Sequence, residues 1–145
     1  MKKTAAALLL MTVPALAGAA VLQDTATAET ATHTKKLILH EQDSHRVGKY
    51  DFVGTDRVRS AATRDVVGYD SFTGNFNPQS KRAVIQAAFS FKGGIIVVRA
   101  HLVGDSRKFT GRILHGTGAY SGIEGTVSGR EGSHNRTFLT MTYTL

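Results

Sequence analysis

Apolar side chains recur at every second position in eight short runs of this chain, and glycine, proline, asparagine, aspartate or serine fills the gaps between them. A period of two sends successive side chains to opposite faces of an extended backbone, so each run predicts a β-strand with one face turned to a core. The runs are about Lys36–Gln42, Tyr50–Arg59, Asp65–Thr73, Arg82–Lys92, Ile95–Val103, Lys108–His115, Ile123–Arg130 and Thr137–Leu145. In the second, Tyr50, Phe52, Gly54, Asp56 and Val58 share a face; in the third, Val66, Gly68, Asp70 and Phe72 do. The fourth sets Ile85, Ala87, Phe89 and Phe91 against Val84, Gln86, Ala88 and Ser90, and the fifth sets Ile96, Val98, Ala100 and Leu102 against Ile95, Val97, Arg99 and His101. The eighth alternates threonine with Leu139, Met141, Tyr143 and Leu145.

Punctuation between the runs supports this reading. Asp43-Ser44-His45 and Gly48 predict the first turn, and Gly74-Asn75-Phe76-Asn77-Pro78 ends the third run because proline cannot donate to a ladder. Gly93-Gly94 predicts a two-residue hairpin. No long stretch carries the i, i+3, i+4 spacing of an amphipathic helix. Strands joined by short turns without a crossover helix pair antiparallel. Closing so small a sheet on itself removes its vulnerable edges. The expected fold is therefore all-β, an eight-stranded antiparallel up-and-down β-barrel formed by residues 35–145 as one domain. A two-sheet sandwich is the alternative, and which face of the first three strands points inward is left open.

The stretch Phe109–Arg130 is dense in glycine, and Gly116–Gly122 reads as a tight corner between strands. It is no phosphate loop, because neither a Lys-Ser/Thr pair nor a helical pattern follows the glycines, and the dinucleotide fingerprint fails for the same reason.

The first residues predict an address rather than structure. Lys2 and Lys3 precede the apolar run Thr4–Val13, Pro14 and the small-residue pattern Ala17-Gly18-Ala19, with a second cleavage pattern at Ala26-Thr27-Ala28. Residues 1–28 are thus expected to be a signal peptide with its cleavage region, and 29–34 a flexible lead-in to a secreted bacterial domain. The apolar run is short for a bilayer, so no stable membrane span is expected after processing. A net charge of +7 is spread along the chain, densest at Arg57, Arg59 and Arg64. Nucleic-acid binding would need a basic stripe with stacking aromatics, which is missing. The absence of cysteine excludes disulfides and thiol catalysis. His40, His101 and His115 lie on separate runs without a close pair, so no metal site is expected. Ser121, Ser128 and Ser133 lack a Gly-x-Ser-x-Gly elbow, which leaves a hydrolase triad unsupported. Asn135-Arg136-Thr137 matches the glycosylation pattern, as a chance match in a chain with a bacterial signal.

The order FKGGIIVVRAHLVGDSRKF, GTGAYSGIEGTV and TFLTMTYTL resembles the allene oxide cyclase and dirigent-protein barrel superfamily over about Phe89–Leu145, and more loosely over Phe52–Val58 and Val67–Asp70. The resemblance implies an eight-stranded barrel with an apolar cavity. It also implies a flexible small molecule held in one productive fold, for ring closure or for coupling, with neither metal nor organic cofactor. A homodimer or homotrimer is implied as well.

Such catalysis draws on lost substrate entropy and needs few polar groups, such as one carboxylate to steady developing positive charge. The candidate catalytic residues are Glu41, Asp56 and Asp70. Glu41 lies late in the first run, where plant cyclases carry a functional glutamate, although Gln42 and Asp43 after it depart from their pattern. Asp56 and Asp70 sit on apolar faces, where a carboxylate is unfavourable unless it is paired or functional. The structural alternative pairs each with Arg57, Arg99 or Arg112. Phe52, Val58, Tyr69, Phe89, Ile96, Val98, Met141 and Tyr143 are expected to line the ligand site. The expected function is binding of a small apolar molecule with guided cyclisation or coupling. The alternatives are a non-catalytic carrier and an interaction protein whose barrel is filled.

Overall fold

In a computed structural model that describes residues 31–103 and 106–145, the eight runs form eight strands. They are β1 (His33–Arg46), β2 (Asp51–Ser60), β3 (Val66–Asn77), β4 (Arg82–Phe91), β5 (Gly94–Val103), β6 (Lys108–Gly116), β7 (Glu124–Glu131) and β8 (Arg136–Thr144). Each pairs antiparallel with the next, and β1 pairs with β8, so the sheet closes into an up-and-down barrel. The sandwich is excluded by that closure. The expected signal region, residues 1–28, lies outside the described residues.

The differences from the expected boundaries have local causes. β1 begins at His33 and continues through the expected turn to Arg46, because a bulge at Gln42 absorbs the break in alternation: Glu41 pairs with Asp56 and Asp43 with Thr55. β3 continues past Gly74 to Asn77, which pairs with Arg82. Gly74 does not turn the chain; a Cβ there would strike the ring of Phe52 on the paired position of β2. The turn proper is Pro78–Lys81, where Asn77 Oδ1 accepts the backbone N–H groups of Gln79 and Ser80 at 3.0 and 3.1 Å. The β4–β5 hairpin turns on Lys92-Gly93, one residue before the glycine pair. The glycine-rich corner between β6 and β7 holds a 3-10 turn at Gly118–Tyr120, with Gly118 at φ 61° and Gly122 at φ 80°.

Inward faces follow the period of two. One end of the barrel is packed solid: Val58, Ile96 and Met141 are fully buried there, beside Leu37, Ile113 and Ile123. Phe91, Tyr120 and Tyr143 plug that end edge to face, at centroid separations of 5.9 and 6.5 Å. Lys35 Nζ caps the plug at 5.7 Å from both the Phe91 and Tyr120 rings. The other end is not filled.

Candidate functional site

Along the open half of the barrel runs a cavity of about 640 Å³. That volume lies within the usual range for small-molecule sites, about 300–1,000 Å³. Its walls are apolar, built from inward residues such as Leu39, Phe52, Phe72, Phe89, Val98 and Leu139. Its mouth is polar and lies where β1 ends and β7 turns into β8, with Ser44, Arg107, Ser133, His134 and Arg136 around it.

Three carboxyls stand in one row on the inner wall. Register alone puts them there: Glu41 of β1 pairs with Asp56 of β2, which pairs with Asp70 of β3. Like charges directly opposite one another weaken a sheet, so this row is not explained by stability. None of the three finds an arginine. Arg57 donates from Nη2 to Gln42 Oε1 at 2.8 Å, Arg99 donates to Gln86 Oε1 at 3.2 Å, and Arg112 pairs across the sheet with Arg99 on the outer wall. The structural alternative of arginine pairing is therefore overturned. Glu41 Oε1 accepts the Ser44 hydroxyl at 2.9 Å, while Asp70 Oδ1 is buried without any partner.

Burial sets the protonation of the inner pair. Asp70 is 5% exposed, and removal from water, then the neighbouring Asp56 charge, push its carboxyl up to about 8, against a weaker opposing backbone hydrogen bond from Asp56. Burial, then Glu41, raise Asp56 to about 6. Burial thus favours the protonated form of Asp70, the more deeply buried of the pair, and a protonated carboxyl can donate a hydrogen bond. A neutral carboxylic acid in an apolar wall is a hydrogen-bond donor aimed at whatever fills the space before it. Its proton affinity is close to the value at which a general acid works best.

All three candidate catalytic residues line the cavity, as do Phe52, Phe89 and Val98. Val58, Ile96, Met141 and Tyr143 belong instead to the solid end and do not line it. Tyr69 is a correction: it alternates with Asp70, lies on the outer wall and is 57% exposed. Phe72, Ala87 and Ala100 line the cavity and were not singled out, although each shares a predicted face with a residue that was. The mouth residues His134 and Arg136 carried no signal in the alternation, since they flank a turn. Among the described residues no group of three histidine, cysteine, aspartate or glutamate side chains is placed to hold a metal ion.

Solved structures of similar shape share this barrel. A pyocyanin demethylase aligns with a TM-score of 0.62 at 19% identity, over 76% of this chain and 99% of its own. AbnU, an exo-specific intermolecular Diels-Alderase, aligns at 0.67 and 9% identity, over 80% of this chain and 98% of its own. A nonspecific heme-binding cyclase that catalyses a cycloaddition in neoabyssomicin biosynthesis aligns at 0.64 and 15% identity, over 81% of this chain and 65% of its own. No protein-family model matches the sequence, and no curated protein matches it.

Proposed function

We propose that this protein is an exported, cofactor-independent barrel of the allene oxide cyclase and dirigent type that folds a small, largely apolar molecule for ring closure or coupling. The observation that carries the reading is Asp70: a buried carboxyl whose Oδ1 has no partner among the described residues, on the wall of an apolar cavity, where burial favours its protonated form. The cavity walls select a compact conformer of a flexible chain, which removes much of the entropy barrier to joining its ends. Asp70 donates a hydrogen bond to a carbonyl or other oxygen of the bound molecule and draws electron density toward it. Asp56 and Glu41, beside it in the row, face any positive charge that develops. No covalent intermediate is required.

The cycloaddition chemistry named for two of the similar barrels supports the same class of reaction here. A carrier would use the same cavity but would gain nothing from an unpartnered acid in its wall. Two measurements separate them. A neutral apolar fluorophore such as N-phenyl-1-naphthylamine should bind and be displaced by conjugated polyenes bearing a carbonyl. Cyclised product from those polyenes should then appear at a rate that Asp70→Leu, which leaves no donor, lowers by about a hundredfold, with fluorophore affinity retained. Binding without turnover by either protein would leave the carrier.

A further inference from the structure

The outer wall of the barrel carries a second cluster of charge, which meets the cavity mouth at Arg136. In the register His40 of β1 stands between Arg57 of β2 and Arg136 of β8, and Ile38 stands between Arg59 and Phe138. Same-face neighbours on paired strands lie about 5 Å apart. Arg64, in the β2–β3 turn, joins the group, because Arg59 Nη1 donates to its carbonyl oxygen at 2.8 Å. The charges of Arg57, Arg59, Arg64 and Arg136 thus all act on one imidazole. Burial, then Arg59, Arg136, Arg57 and Arg64, hold His40 below the ordinary histidine range.

No carboxylate among the described residues answers this charge. Among the described residues the ion pair within 4 Å joins His45 to Asp43, beyond the bulge. Asp65 follows Arg64 without pairing to it, and Glu41 follows His40 but faces the cavity. Neutral acceptors position the arginines instead: Gln42 Oε1 holds Arg57 at 2.8 Å and the Ser133 carbonyl holds Arg136 Nε at 3.2 Å. Arg57 Nε is buried and has no acceptor. The arginine stems help cover Ile38, which is 2% exposed. That packing explains where the stems lie, but not why Arg57, Arg59 and Arg136 set like charges along one strip.

We propose that the outer wall across β8, β1 and β2 binds an oxyanion of the phosphate or sulfate class, with Arg57, Arg59 and Arg136 as donors and His40 at its base. A tetrahedral oxyanion offers the several acceptor oxygens that guanidinium forks match. It would relieve the repulsion among the cations. The ligand's source is either a free phosphate or sulfate ester or an anionic lipid headgroup.

The test follows the His40 ring by two-dimensional NMR through a pH titration, in sodium phosphate and in sodium chloride at equal ionic strength. A bound oxyanion favours the imidazolium, so phosphate should raise the His40 midpoint saturably and chloride should not. The double substitution Arg57→Gln and Arg59→Gln should weaken phosphate binding by about tenfold or more, and fluorophore binding in the cavity should persist. Cosedimentation with phosphatidylglycerol vesicles, reversed by free phosphate, would identify a headgroup. A saturable phosphate response without cosedimentation would identify a free ester. Identical His40 curves in phosphate and chloride overturn the proposal, and that comparison needs no variant to fold.

Discussion

Asp70 makes the protein's stability fall as pH rises. In the folded barrel its carboxyl holds a proton up to about 8, whereas its ordinary value is 3.8. Between those values the folded state binds more protons than the unfolded state, so the slope of stability with pH is negative. The contribution is full below 3.8 and is lost as pH passes about 8; Asp56 adds a loss of the same sign that ends at about 6. Urea midpoints should therefore drop between about pH 5 and about pH 8, and Asp70→Asn should flatten most of that drop. A drop of equal size in the variant would mean that Asp70 is already ionised in the native barrel. Asp70→Leu, which removes the donor that the proposed chemistry uses, should likewise flatten the drop and should also lose turnover.

Strand geometry adds a constraint that single side chains do not reveal. Gly111 of β6 lies against β5 so closely that a Cβ would meet the Arg99 carbonyl and the Ala100 Cα, both backbone atoms that cannot swing aside. Gly122, in contrast, has φ 80° and open space around it. Gly111→Ala should therefore destabilise the barrel by about 2–3 kcal/mol, and Gly122→Ala by about 1 kcal/mol through backbone strain alone. Equilibrium denaturation of the two variants checks the order. Alternation made the strands legible, and with them the inward direction of Phe89 and Val98, while it left open which face of β2, the one with Asp56 or the other, points inward. It did not reveal the Gln42 bulge, because a bulge breaks the period without leaving a glycine or proline to mark it. It also misread Gly74, which looks like a turn residue but serves as a recess for the Phe52 ring. Period two separates inside from outside but says nothing of depth along the barrel axis. Ile96 and Val98 are neighbours on one face of β5, yet Ile96 lies in the solid end and Val98 on the cavity wall.

The closed sheet concentrates its packing at one end and leaves the other hollow, so filling the hollow should be tolerated. Ala100, on the cavity wall across from Ile85 and Gly111, has space before it. Ala100→Phe should weaken fluorophore binding about tenfold or more with a melting temperature at or above that of the parent, read by differential scanning fluorimetry. A large fall in melting temperature would instead mark Ala100 as part of the tight packing. The proposed export is a prediction about the whole chain: expression in a bacterial host should yield a secreted form whose N-terminus, read by mass spectrometry, follows Ala19 or Ala28. The aromatic plug of Phe91, Tyr120 and Tyr143 carries a kinetic consequence. With that end stoppered, the mouth is the doorway left among the described residues, so under the proposed reaction a product would back out the way its substrate came in. Traffic through one door makes departure compete with arrival, and a product bulkier or greasier than its precursor would throttle the protein at high conversion.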